Sequence, residues 1–244
     1  QGESHRPRVV CFGDSLTQYG LDPEKLGWMA HLAHWWQRRF DVVNRGFGGY
    51  NTRWGIPMLD KLFVPGGAAR TLLVTIFFGA NDAVVSASLQ HVPLDEYKEN
   101  LREMVHHIQK AHPGVRIVIM APPPIHEASG MWADHRGEQG RPMDRKQHLT
   151  RAYAAASLEV AAELNIPSVD TYNILGGGEE AAAARYLHDG VHLNDRGNQA
   201  VFRALRATLL HEFPDLEPER VPMQAPWSGD VDPSNFAGCI LRAM

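Results

Sequence analysis

The 244-residue chain has few of the features that decide a function at a glance. It has two cysteines, Cys11 in an early apolar run and Cys239 near the end. A disulfide framework is therefore not expected, and a reducing compartment is. No stretch approaches the roughly 18 uninterrupted apolar residues that a membrane-spanning helix needs. The opening Gln1-Gly2-Glu3-Ser4-His5 has no apolar segment of the kind a secretory signal carries, so no signal is read there. Charge of one sign is scarce too: 24 Lys and Arg against 28 Asp and Glu leave a net −4. That balance gives no electrostatic reason to expect nucleic acid or an anionic membrane as partner. No Gly-Lys-Ser/Thr closes a glycine-rich loop, and no dinucleotide fingerprint or Gly-x-Ser-x-Gly elbow occurs.

What remains is an ordinary globular composition, 44% hydrophobic and 21% charged, long enough for one large core. Apolar runs at 9–12, 42–44, 71–78, 115–121 and 166–170 read as five strands. The run at 71–78 is continuous and partly β-branched, as in a strand buried on both faces. Helical spacing marks 26–40, 93–112, 144–164 with Asp144 as cap, and a last helix capped by Asn194. Residues 176–184, rich in glycine and alanine, are left as mobile or helical.

Strands and helices alternate at roughly 30-residue steps, which argues for right-handed βαβ units. The fold expected is a three-layer α/β/α sandwich on a five-stranded parallel sheet, flavodoxin-like in order. It occupies residues 1–213. From Pro214 periodicity fades and prolines crowd, so 214–244 reads as an extension wrapping the same domain.

Four segments sit where strands end or before the last helix. They are Gly13-Asp14-Ser15-Leu16, the glycine loop from Asn44 to Gly49, Gly79-Ala80-Asn81-Asp82, and Asp189-Gly190-Val191-His192. In open α/β sheets ligands bind beyond the carboxyl ends of strands, so the four can converge. Ser15 supplies a nucleophile only if an imidazole takes its proton, and His192 with Asp189 three residues before it can do so. Donors for a developing oxyanion are the Ser15 and Gly49 N–H groups and the Asn81 amide. Plainer readings stand beside these: Asp14 and Ser15 as a helix cap, Asn81 as a turn residue, Asp82 as a tie for that turn, His188 as a bystander. A metal held by His188, Asp189 and His192 is the chemical rival, but no His-x-x-x-His pair lies on a helix and no cysteine pair exists, so no metal or cofactor is expected. Phe47, Tyr50, Trp54 and Trp132 are candidates to line a substrate pocket, as is Trp28, which core packing explains equally well.

These four segments, in this order over about residues 8–210, resemble the blocks of the SGNH (GDSL-type) hydrolases. Gly46-Phe47-Gly48-Gly49-Tyr50-Asn51-Thr52-Arg53-Trp54, Phe77-Phe78-Gly79-Ala80-Asn81-Asp82-Ala83 and Pro122-Pro123-Pro124-Ile125 are most similar to the isoamyl acetate-hydrolysing esterase branch. The resemblance implies Ser15 as nucleophile, His192 with Asp189 as base, Gly49 and Asn81 as oxyanion donors, and hydrolysis of short-chain carboxylic esters without a cofactor in a cytoplasmic setting. A sugar deacetylase or lysophospholipase on the same machinery, and a non-catalytic binding module, are the alternatives. The partner expected is a small-molecule ester; a homodimer is left open.

Overall fold

Residues of β1, Arg8–Gly13, alternate between two burial environments. Val9 and Cys11 face one helical layer while Val10 and Phe12 face the other, and all four are buried. The same division recurs in β3, Thr71–Phe77, where Leu73 and Phe77 oppose Val74 and Ile76. In β4, Arg116–Met120, Val118 and Met120 oppose Ile117 and Ile119. A sheet covered on both faces has no polar side, which is why these strands read as unbroken apolar runs. Each such aliphatic side chain contributes about 1.5–3 kcal/mol by leaving water.

The structure, a computed structural model, describes residues 6–66, 69–129 and 144–243. β2, Asp41–Gly46, and β5, Ser168–Val169, complete a wholly parallel sheet in the order β2-β1-β3-β4-β5. The expected architecture is the one observed. The helices in chain order are α1 (Ser15–Gln18), α2 (Trp28–Trp35), α3 (Thr52–Gly55), α4 (Leu59–Leu62), α5 (Leu94–Ala111), α6 (Gln147–Glu163), α7 (Thr171–Ile174), α8 (Glu180–Tyr186), α9 (Asp195–Glu212) and α10 (Phe236–Ala243). α2 and α9 cover one face with Trp28, Trp36, Val201 and Leu205. α4, α5 and α6 cover the other with Leu59, Tyr97, Leu101 and Val160.

Two helices are shorter than their periodicity suggested. The one expected over 26–40 spans only Trp28–Trp35. Leu26 and Arg38 both have positive φ, which breaks the helical run at each end. The one expected from Asp144 begins at Gln147. Asp144 does not cap it: its carbonyl accepts from Val85 N at 2.8 Å, and Arg145 forms an antiparallel bridge with Val84. That bridge claims the backbone a cap would need. Residues 176–184 run into α8, so their alanine-rich half is helical.

Beyond α9 the chain turns back along α2. Leu216 is buried and its carbonyl accepts from Trp36 Nε1 at 2.8 Å. Arg38 donates to the carbonyls of Ala225 and Pro226 at 2.9 and 2.8 Å, and Arg39 Nε to that of Val221 at 3.1 Å.

Candidate active site

The site starts at Gly13. A Cβ there would lie 2.4 Å from the Phe77 carbonyl oxygen and 2.2 Å from Thr17 Oγ1, so only glycine lets β1 pass so close to β3 and turn. Asp14 then caps α1, its Oδ1 accepting from Leu16 N at 2.9 Å. Ser15 is the first residue of that short helix, where a backbone N–H has no partner within the helix. Capping and display of a hydroxyl are thus one arrangement, not rival readings.

The second half of the site is a turn closed by an antiparallel bridge between Leu187 and Leu193, with Gly190 at φ +95°. Asp189 Oδ1 accepts from the N–H groups of Val191 and His192 at 2.9 and 2.7 Å. Its Oδ2 lies 2.6 Å from His192 Nδ1. A carboxylate accepts only, so Nδ1 carries the proton and Nε2 presents its lone pair. That lone pair lies 2.9 Å from Ser15 Oγ, which donates to it. Ser15, His192 and Asp189 are therefore one hydrogen-bonded chain, all buried. Burial by itself would raise the Asp189 carboxyl; the hydrogen bond and charge of His192, with the two N–H donors, outweigh it and hold the group well below the ordinary carboxylate range.

His188 stacks on His192 at a 27° tilt with ring centres 5.8 Å apart, and its Nδ1 donates to the His192 carbonyl at 3.1 Å. His188, Asp189 and His192 bring ligand atoms within 4.8 Å of one another. Both nitrogens of His192 are already engaged with Asp189 and Ser15, so a cation there would compete with the chain.

Gly49 and Asn81 approach from the other side. Gly49 has φ +80°, and its carbonyl accepts from Gln90 Nε2 at 2.7 Å. Its N–H donates to no acceptor among the described residues. Asn81 Nδ2 donates to the Tyr50 carbonyl at 2.8 Å, and Asn81 Oδ1 accepts from Arg145 Nη2 at 2.6 Å. Arg145 is almost fully buried and also donates to Asp144 Oδ1 at 2.7 Å. Asp82 does not tie the Asn81 turn: its Oδ1 accepts from Thr52 N and Oγ1 at 2.9 and 2.5 Å, anchoring the start of α3 to the end of β3. Burial dominates at Asp14 and Asp82 and pushes both carboxyls up to about 7.

Two cavities meet at Ser15 and His192. The larger, about 740 Å³, is lined by Ser15, Gly49, Asn81 and His192 together with Tyr50, Trp54, Gln90 and Arg145. The smaller, about 220 Å³, runs past Leu16, Tyr19, Lys25, His188 and Leu193. Tyr50 and Trp54 thus border the larger cavity. Phe47 does not: it packs edge-on against Phe12 at 6.3 Å and supports Tyr50 from behind. Trp28 is a core residue whose Nε1 donates to the Leu16 carbonyl at 2.9 Å. Trp132 lies outside the described residues. Tyr19, which borders both cavities edge-on to His192 at 5.2 Å, was not singled out in the sequence. Nor were Gln90 and Arg145, since a lone glutamine or arginine carries no sequence mark of a buried partner.

Among the described residues no helix is long and apolar enough to cross a membrane. Residues 11–200 match the GDSL-like lipase/acylhydrolase family. The chain is 40% identical to the isoamyl acetate-hydrolysing esterase 1 homologue of Bos taurus, over 82% of this chain and 80% of that one. It is 36% identical to a GDSL esterase/lipase of Arabidopsis thaliana, over 94% and 96%. An acetylxylan esterase from Geobacillus stearothermophilus, 23% identical, has the same fold with a TM-score of 0.63, over 83% of this chain and 94% of that one. A family match over most of the chain and relatives this similar over most of their own length place it: the chain belongs to the GDSL-like (SGNH) lipase/acylhydrolase family and is a carboxylic ester hydrolase.

Proposed function

We propose that this enzyme hydrolyses short-chain, acetate-type carboxylic esters through an acyl-enzyme on Ser15. The observation that carries the reading is the unbroken chain from Asp189 Oδ2 through His192 to Ser15 Oγ, at 2.6 and 2.9 Å. On this reading His192 Nε2 takes the Ser15 proton as Oγ attacks the ester carbonyl carbon. The carbonyl oxygen becomes an oxyanion held by the N–H groups of Ser15 and Gly49 and by Asn81 Nδ2. Collapse breaks the bond to the alcohol oxygen, which leaves with the proton from His192. Water, deprotonated by the same imidazole, then attacks the acyl carbon, and the acid departs as Ser15 recovers its proton. Asp189 keeps His192 in one tautomer and balances the imidazolium. Short acyl groups are favoured by the names of relatives such as the isoamyl acetate-hydrolysing esterase 1 homologues of Bos taurus and Homo sapiens, and by the smaller cavity, of about 220 Å³, if the acyl group enters on that side of Ser15.

The test has two parts. A fluorophosphonate probe labels the wild-type protein at Ser15, and Ser15→Ala abolishes labelling and lowers turnover at least a thousandfold; near-normal turnover in that variant ends the reading. A chain-length series of p-nitrophenyl esters peaks at acetate to butyrate. Preference for acetylated sugars would make it a carbohydrate deacetylase, and preference for long acyl chains a lysophospholipase.

A further inference from the structure

Arg145 is a buried cation that borders the larger cavity together with Ser15 and His192. Taking a guanidinium out of water is costly unless its donors are used. Here one donor goes to Asp144 and another, at 2.6 Å, to the amide oxygen of Asn81. A carboxamide has two orientations that fill the same space. With Oδ1 on Arg145 and Nδ2 on the Tyr50 carbonyl, both neighbours are satisfied. A flip would set Nδ2 against the guanidinium N–H groups and Oδ1 against a carbonyl oxygen, so two hydrogen bonds become two repulsions. The orientation is therefore locked, and the remaining Nδ2 hydrogen is left for the cavity that Ser15 also lines.

Resting on the proposed reading of the site, we infer that Arg145 is a positioning residue that holds the Asn81 amide with its N–H toward the developing oxyanion and strengthens that donor by polarising the amide from behind. A hydrogen bond from a cation to the amide oxygen draws electron density from the nitrogen, which makes its N–H a better donor. The contribution appears where negative charge appears, in the tetrahedral species, so it acts on kcat and not on ground-state binding. The surrounding residues carry the same logic. Asn51 and Gln90 brace the Gly49 side through Asn51 Nδ2 to the Gln90 carbonyl at 2.8 Å and Gln90 Nε2 to the Gly49 carbonyl at 2.7 Å. Arg145 does for the Asn81 donor what these two do for the glycine.

The experiment compares Arg145→Lys, Arg145→Gln and Arg145→Met, with kcat expressed per active site titrated by a fluorophosphonate. Expected is a graded fall, with Lys retaining most activity, Gln about tenfold down and Met about a hundredfold down, while KM stays within about threefold. A boronic acid that forms a tetrahedral adduct at Ser15 weakens in parallel with kcat/KM, and the product acid does not. In the double variant with Asn81→Ala, Arg145→Met adds little to the loss from Asn81→Ala alone. A purely structural role would instead lower the titratable fraction and leave kcat per site unchanged. The inference is overturned if Arg145→Gln and Arg145→Met both turn over within threefold of wild type per site, or if their losses add fully to that of Asn81→Ala. Should Arg145→Met not accumulate as folded protein, Arg145→Gln alone decides on the same criteria. Ser15→Ala separates the two failures: if it is inactive while the Arg145 variants are normal, the esterase reading stands and only this inference falls.

Discussion

Two buried acidic regions lie within the same site and meet opposite fates. Asp189 sits in the turn that carries His192, and Asp14 and Asp82 lie beneath Ser15 and Asn81. All three are nearly inaccessible to water. Asp189 is held below the ordinary carboxylate range, whereas Asp14 and Asp82 are pushed up to about 7. Burial raises each of them, most completely Asp14 and Asp82, and the supply of donors opposes it unequally. Asp189 accepts three hydrogen bonds, from two N–H groups and an imidazole that can become cationic. Asp82 accepts two, both on one oxygen and both from neutral Thr52, and its other oxygen has no hydrogen-bond partner. Asp14 accepts one and has Asp82 as a repelling neighbour. Donor supply working against burial sets the direction in which each acid moves.

The comparison can be broken most severely at Asp189. Asp189→Asn keeps the size but can donate to His192 Nδ1, which favours the wrong tautomer. Turnover is expected to fall about 10³–10⁴-fold, read as kcat on a p-nitrophenyl ester, with the fold intact by circular dichroism. A fall under tenfold would mean that the charge of Asp189 does not matter to the proposed chemistry.

At Thr52 the effect is on stability. Thr52→Ala strips Asp82 of its hydroxyl donor and leaves Asn100 Nδ2, which donates to that hydroxyl at 3.0 Å, without this partner. A loss of about 1–3 kcal/mol is expected by urea unfolding.

Asp82→Asn tests the contrast through pH. A carboxyl raised to about 7 when folded contributes stability that is fully present below its ordinary value near 4 and is lost as pH rises through 7. Wild-type Tm should therefore decline from pH 5 to pH 8, and Asp82→Asn should flatten part of that decline, on the order of 1 kcal/mol. Asp189 behaves in the opposite sense: its contribution is present above about 4 and is lost only as pH falls below that value. An unchanged pH 5–8 slope in Asp82→Asn would place the charge of Asp82 elsewhere.

The smallest effect is expected at the surface. Arg53 grips both oxygens of Glu96 at 2.6 Å outside the larger cavity, and both side chains are exposed. Arg53→Ala should cost under about 1 kcal/mol and still less in high salt.

The legibility of this chain followed the range of the interaction concerned. The strands were read correctly because burial on two faces leaves a purely local trace, as in 71–78. Helix ends were read less well, since Leu26, Arg38 and Asp144 were diverted by backbone geometry and by a bridge to Val84 that no periodicity announces. Within the site, the four blocks were recognisable because glycine turns and the Asp189–His192 spacing are local too. Phe47 packs behind Tyr50 while Tyr19 borders both cavities, because an aromatic side chain carries no mark of which way it will face.

The sequence alone determined a parallel α/β sheet with a serine, a glycine, an asparagine and a histidine at the ends of its strands and loops, because hydrophobic period and turn chemistry act over a few residues. Tertiary structure decided the rest: that Ser15 Oγ and His192 Nε2 meet at 2.9 Å, that Arg145 reaches Asn81, and that the Asp189 carboxyl is held down while that of Asp82 is pushed up. Those outcomes depend on distances across the fold, and electrostatic and hydrogen-bond energies change steeply over an ångström that no linear spacing records.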